Sequence, residues 1–482
     1  MSALDLKNIQ GDILLDGLPK RVEFFFFFQI TDGHIKDFCR SLKTLANDIS
    51  HVDNTAQMRQ DIGAGKSTRK EGDLVEMAGV NIAFSWKGLQ KMSTVLAKDI
   101  GNPADRDYTD GMKAHAIGDT ASPSTIGDPI KPGTNEPDWE QPFSQPDLLH
   151  GVILVTGNDD AQVKQKLESI KKTFQFGTSS AFVKELKTIS GKVRPAPFKG
   201  HEHFGYNDGI SQPAVDGIDK APKGQDTIEQ GVILCNRGSN AGHHPDWMTD
   251  GSFMCFRKLE QNVPAWNKFL VDASNTLGTW SDQLGARLIG RWKSGCPVQL
   301  SPEFDDKNIA ADPSRVNDFN FAPADSDNAN FTCPMAAHIR KTNPRNDLGP
   351  RGPNGVVNRF RILRRGIPYG NELDADPNGT RGLLFVCYQS TISNGFAFIQ
   401  GQWANERNFV RPGVGFDAVL GQLSKSEQVD ITGLFPQDAK RAIKLNAVSP
   451  FVIPRGGEYF FTPSMGALTG ILSSVKEGKT DL

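Results

Sequence analysis

The run Val22-Glu-Phe-Phe-Phe-Phe-Phe-Gln-Ile30 is the most apolar segment of the chain. Five consecutive phenylalanines leave no polar face, and the run falls far short of the ~18 residues needed to span a bilayer. It reads as a strand buried on both faces, which requires covering layers on either side of its sheet. Outward from it, residues 33–45 place Ile35, Phe38, Leu42 and Leu45 at helical spacing, residues 80–84 are strand-like and 87–96 helical. Residues 148–155 read as another strand, and the acids of Gly157-Asn-Asp-Asp160 can cap a helix over 161–174. The polar stretch 50–76 looks like a surface excursion. The Gly-, Pro- and Asp-rich stretch 99–147 looks like a long loop of the kind that frames a site.

The second half repeats this grammar. Residues 252–258 are strand-like, and Pro264 can start a helix over 263–271. A helix over 283–292, strands over 359–363 and 382–389, a helix over 391–402 and a closing strand over 458–462 follow. The element order predicts two α+β domains of similar design, as an old duplication would leave. The Gly/Asp-rich stretch at 215–230 is the best boundary, dividing the chain into 1–220 and 221–482.

With 482 residues, 38% hydrophobic content and a net charge of −2, the chain is neither disordered nor a carrier of a nucleic-acid-binding field. The first residues, MSALDLKNIQGD, lack a cationic n-region and an apolar h-region, so no signal peptide is expected in them. Six scattered cysteines form no CxxC and no CxxCH, which disfavours a thiolate zinc site, a redox dithiol and covalent haem attachment.

Three stretches carry chemistry. In Cys333-Pro-Met-Ala-Ala-His338-Ile-Arg340-Lys-Thr-Asn-Pro344-Arg345, one of nine histidines follows a short apolar run and precedes a basic, proline-interrupted segment. A neutral imidazole so placed suits axial ligation of a haem whose propionates need cations; the plainer reading is a solvated or hydrogen-bonded histidine. In Gly205-Tyr-Asn-Asp208-Gly209-Ile-Ser-Gln-Pro213 a carboxyl sits in a tight glycine turn. Shielded from water it would have a raised pKa and exchange a proton near neutrality; the plainer reading is an Asp-Gly turn. In Arg359-Phe-Arg361-Ile-Leu-Arg364-Arg365-Gly-Ile-Pro-Tyr369-Gly370, a strand would put Arg359 and Arg361 on one face and Arg364 on the other. A buried arginine there needs an anion. Other features read as ordinary. Residues 60–67 resemble a phosphate loop but hold Gln60 where glycine is required, leaving a flexible basic loop, and His201, His203, His243 and His244 read as surface polarity.

Together, Gly205-x-x-Asp208-Gly209, His338 with Arg340, and the ending Ile-Leu-Arg364-Arg-Gly-Ile-Pro-Tyr-Gly resemble the dye-decolourising peroxidases, the fungal type in particular. The resemblance runs from Asn8-Ile-Gln-Gly-Asp-Ile-Leu into the last third of the chain. It implies an α+β fold of two ferredoxin-like domains with antiparallel sheets, and one non-covalent haem b held mainly by the C-terminal domain. His338 would be the proximal iron ligand, Asp208 the distal acid–base beside Gly209, and Arg364 the distal arginine. Arg340 would pair with a haem propionate, Asp417 would bond the second nitrogen of the proximal imidazole, and Leu383 with Phe385 would narrow the distal side. Trp403 resembles a surface tryptophan through which bulky substrates are oxidised. Tyr206-Asn207 departs from the Phe-Leu common in the fungal motif and adds polarity beside Asp208. The implied partners are hydrogen peroxide and aromatic reductants (dyes, phenols, lignin-related compounds), with no nucleic acid and no membrane. The resemblance favours an extracellular enzyme, while the missing signal peptide leaves a cytoplasmic one open. The alternative is a haem-binding protein without significant peroxidase turnover; it would need His338 but not Asp208 and Arg364 together.

Overall fold

The computed structural model describes residues 4–68, 77–117, 125–323, 331–351, 355–422, 428–434, 442–446 and 451–477. Strands β1 (Val22–Ile30), β2 (Gly79–Phe84), β3 (Gly151–Gly157) and β4 (Val183–Lys192) form an antiparallel array in the order β4-β1-β3-β2. A short parallel pair, β5 (Ala214–Val215) and β6 (Thr227–Ile228), follows. Then come β7 (Ser252–Gln261), β8 (Leu363–Arg364), β9 (Ile367–Tyr369), β10 (Gly382–Gln389), a separate antiparallel pair β11 (Gln428–Thr432) and β12 (Ala442–Asn446), and β13 (Val452–Thr462). The second array runs β13-β7-β10-β8, with β9 also on β10.

Both arrays therefore have one plan. The last strand lies beside the first, the third beside the first on its other side, and the second at the far edge. This is the ferredoxin-like order, and it bears out the repeated element order of the sequence. A single pairing, Phe461 with Phe84, joins the halves into one nine-stranded sheet.

The phenylalanine run is buried on both faces for an identifiable reason. Phe25 and Phe27 each lie 5.0 Å, ring to ring, from Phe256 of β7, so the sheet curls until its first half meets its second. Phe26 and Phe28 point the other way, Phe28 lying 5.7 Å from Phe38 on the helix Ile35–Leu45. All five are 6% exposed or less, and each buried ring contributes on the order of 1.5–3 kcal/mol relative to an exposed one.

Several local expectations are corrected. The stretch read as a surface excursion holds the helix Val52–Thr68, which contains residues 60–67, so no phosphate loop exists there; residues 69–76 lie outside the described residues. Its anchor is Arg59, which donates to the carbonyls of Asp16, Gly17 and Leu18. Strand β4 escaped notice because it is an edge strand with solvated residues along its length. The expected strand over 359–363 is a tight helical turn, Val356–Phe360, and only Leu363–Arg364 joins the sheet. His203 and His244 are buried, not solvated. His203 Nε2 lies 2.9 Å from the Tyr369 carbonyl, and burial with Arg194 nearby lowers its pKa to about 4. Among the described residues no helix is long and apolar enough to cross a membrane.

Candidate functional site

A cavity lies where the Asp208 loop, the His338 helix, β8, β10 and the segment after β10 converge. Strand periodicity aims its wall. On β10, Leu383 and Phe385 face the cavity while Leu384 and Val386 are fully buried in the core.

His338 opens a short helix, His338–Thr342, whose approach to the neighbouring helix Ser281–Ile289 depends on Gly290. A Cβ on Gly290 would meet Ile339 at 2.4 Å. The His338 ring lines the cavity, and its Nδ1 is 2.7 Å from Asp417 Oδ2. Asp417 is completely buried and is held in turn, its Oδ1 accepting the Val419 and Leu420 N–H groups at 2.9 and 3.0 Å. Burial lowers the imidazole pKa but the Asp417 carboxylate more than offsets it, so the net shift is upward. The pair fixes the ring orientation and leaves Nε2 toward the cavity.

Asp208 also lines the cavity. Its turn is set by Gly209, at φ +77, whose N–H donates to Asp208 Oδ1 at 2.6 Å. Arg364 Nη1 reaches the same oxygen at 2.7 Å, and Arg364 Nη2 is tied to the Ser211 carbonyl at 3.2 Å. Gln212 clasps the Arg364 backbone from both sides, accepting its N–H and donating to its carbonyl; sequence reasoning gave Gln212 no role. Burial pushes the Asp208 carboxyl up, but Arg364 and the Gly209 N–H together hold it below its ordinary value. The expected raised pKa is thus corrected to a lowered one, because Arg364 outweighs burial.

The four arginines of 359–365 separate cleanly. Arg359 lies over the Phe360 ring, and Arg365 turns away to the carbonyls of Asp12 and Leu15. Arg361 lines the cavity 3.5 Å from Asp226, and Arg364 meets Asp208.

Two expected residues lie elsewhere. Arg340 is fully buried behind the cavity wall, gripping Asp347 through two 2.7 Å hydrogen bonds and donating to the carbonyls of Cys333 and Ala322. The cations that do line the cavity, besides Arg364, are Arg291, Arg345 and Arg361. Burial lowers the pKa of all three, Arg291 and Arg361 to about 10. Trp403 is not a surface residue. It is 3% exposed, stacked on Phe409 at 5.3 Å and packed edge-on against Phe360, a cavity-lining ring. Its helix turns inward, so the core reading of this tryptophan holds for its position.

These features fit a haem. One imidazole faces an apolar slot, and of the three buried guanidiniums on its lining Arg291 and Arg345 have no ion-pair partner among the described residues while Arg361 meets Asp226 only at 3.5 Å, so two propionates would find cations there. Among the described residues no three His, Cys, Asp or Glu side chains converge as a metal site of their own.

Residues 8–195 match the family described as "DyP dimeric alpha+beta barrel domain", and residues 212–409 match "Dyp-type peroxidase, C-terminal". The chain is 37% identical over 500 residues to dye-decolorizing peroxidase msp1 of Mycetinis scorodonius, covering 98% of this chain and 88% of that protein. An ancestral D-type dye-decolorizing peroxidase superposes with a TM-score of 0.86 at 44% identity, covering 98% of this chain and 100% of that one. The enzyme of Auricularia auricula-judae superposes at 0.81 with 34% identity, again over 98% and 100%. The chain belongs to the DyP-type peroxidases, haem enzymes that act on hydrogen peroxide together with a reducing substrate.

Proposed function

We propose that the chain uses a non-covalently held haem b, whose iron His338 would hold, to reduce hydrogen peroxide and to oxidise dyes, phenols and lignin-related aromatics by one-electron steps. The observation that carries this reading is the Asp208–Arg364 pair across the cavity from an imidazole backed by Asp417. Haem, when bound, supplies the iron that peroxide approaches and the redox equivalents that reductants later discharge.

The protein's part is proton handling and charge placement. Asp208, ionised, takes the proton from the inner oxygen of peroxide and returns it to the outer one, so that water leaves. Arg364 offers preorganised positive charge to the oxygen on which negative charge develops, at no reorganisation cost. The Asp417–His338 hydrogen bond raises the basicity of the imidazole on the opposite side. Leu383 and Phe385 narrow the approach, which admits peroxide and holds bulky aromatics at the mouth.

Arg291, Arg345 and Arg361 would meet the propionates. Arg340 would act through Asp347, by holding the loop that follows the His338 helix. Trp403, one ring behind the cavity wall, would pass electrons inward without touching substrate. A division at 1–220 and 221–482 would assign Asp208 to one domain and the remaining site residues to the other. Extracellular action is supported by the likeness to fungal enzymes.

The test is a peroxide titration of the haem-loaded protein by stopped-flow absorbance. A rapid spectral change with one equivalent, reversed by a phenol, is the expected result; a spectrum indifferent to peroxide would sink the proposal.

A further inference from the structure

A second cleft, of about 700 Å³, reaches β13 at Glu458 and shares no lining residue with the cavity that holds His338 and Asp208. That volume is in the range of small-molecule sites, ~300–1,000 Å³. Trp86 and Tyr108, edge to face at 6.0 Å, form one wall, and Pro137, Pro146 and Leu148 line it further out.

At its floor stands Glu458, 3% exposed. Glu458 Oε1 accepts the N–H groups of Met112 and Tyr459 at 2.9 and 2.7 Å, whereas Oε2 carries no hydrogen bond among the described residues. A Cβ on Gly111 would stand 3.5 Å from both oxygens, so the glycine keeps the carboxyl uncovered. Oε2 is open to the cleft, where a hydrogen-bond donor can reach it.

The surroundings choose the ligand. Lys87 and Lys113 are paired with Asp147 at 2.9 Å and Glu136 at 2.6 Å, and Asp110 lines the cleft as well, so neither lysine is free to hold an anionic ligand. Glu458 opposes an anionic one. A neutral aromatic that donates a hydrogen bond satisfies both the walls and the floor.

Tyr459, next in the strand, has its ring 6.3 Å from Phe396, and Phe396 lies 5.9 Å from Phe385; both phenylalanines line the haem cavity. Tyr459 Oη has no hydrogen-bond partner among the described residues, so nothing is placed to take its proton. Its ring serves as a medium for tunnelling, not as a radical store.

We propose that this cleft is a second site for a phenolic reductant, whose O–H bond breaks with the proton passing to Glu458 Oε2 and the electron passing by way of Tyr459 and Phe396 to the haem cavity. The product is a phenoxyl radical, and Glu458 returns its proton to solvent. The electron acceptor is the oxidising equivalent created by peroxide reduction, so the proposal rests on the peroxidase activity. Burial raises the Glu458 pKa to about 7, which lets the group hold and release a proton near neutrality.

The test uses the haem-loaded protein and guaiacol as probe. Calorimetric titration of the resting enzyme is expected to show two guaiacol sites. Glu458→Gln, and separately Ala114→Trp, which fills the exposed mouth and leaves Glu458 in place, are expected to weaken one site about tenfold, close to the worth of one hydrogen bond to a charged group, and to spare the other. Both should leave the reaction with peroxide unchanged, and both should remove the corresponding phase of guaiacol turnover. A single site in the parent protein, or loss in only one of two folded variants, overturns the proposal. If Glu458→Gln does not fold, Ala114→Trp decides alone. Failure of the parent to react with peroxide would instead defeat the peroxidase reading.

Discussion

Asp208 and Arg364 stand 156 residues apart in the chain, yet the Arg364 guanidinium donates to the Asp208 carboxylate across 2.7 Å. The contact sets the charge state of the acid. Burial pushes the Asp208 carboxyl up, and Arg364 together with the Gly209 N–H holds it below its ordinary value.

Replacing Asp208 by Asn is expected to slow the reaction with peroxide by about 10²–10⁴-fold while haem stays bound. Replacing Arg364 by Leu should cost roughly 10²–10³-fold and also move the acid limb of the pH–rate profile upward, because burial then dominates the Asp208 pKa. Stopped-flow rates against pH measure both. An acid limb unmoved by Arg364→Leu would contradict the assignment.

The Asp417–His338 hydrogen bond predicts a binding defect. Asp417→Ala removes the acceptor that orients the imidazole and should weaken haem affinity about 10–100-fold. Competition of the variant with an apo-haem-protein acceptor, followed by absorbance, reads this directly.

Arg361 and Arg340 should part company. Arg361→Leu removes a cavity cation and is expected to shorten haem retention with little effect on unfolding of the haem-free protein. Arg340→Leu strands the buried Asp347 carboxylate and should destabilise the fold by about 3–5 kcal/mol even without haem. Thermal melts of loaded and haem-free forms separate the two effects.

Glu458 ties stability to pH. Its folded pKa, about 7, lies above the ordinary 4.5, so its contribution is fully present below pH 4.5 and is lost as pH rises through 7. The loss from this one group is of the order of 3 kcal/mol, and Lys87 is the cation facing it. Glu458→Gln should therefore flatten the fall in urea-unfolding stability between pH 5 and 8 (about the span of that titration). An equally steep fall in the variant would show that another group is responsible.

Trp403 is a packing residue by position, so Trp403→Ala should cost about 3–5 kcal/mol. Trp403→Phe keeps an aromatic ring in the cluster. If the proposed relay operates, that variant loses turnover of a bulky dye and keeps turnover of a small phenol; equal rates on both substrates would leave the residue with packing alone.

Much of this protein was determined locally. The phenylalanine run could be nothing but a doubly covered strand, because no arrangement of five adjacent rings exposes a polar face. The Asp208-Gly209 turn was legible because glycine tolerates φ +77 at low cost, whereas the flanks of His338 singled it out only together with that turn and the Arg364 stretch.

What tertiary structure decided is every question of partnership. Arg340 and Arg361 are the same residue type in similarly basic stretches, yet Arg340 faces Asp347 and Arg361 faces the cavity. Trp403 resembles a surface tryptophan in sequence and is buried by Phe360, Phe398 and Phe409. Glu458 looks like the polar start of a closing strand and instead forms the floor of a cleft, because β13 begins six residues earlier than its pattern indicates. Propensity and periodicity act over a few residues, whereas the field at a carboxyl is set by whichever distant group the fold brings within a few ångströms. For Asp208 that group is Arg364, and its charge reverses the effect of burial.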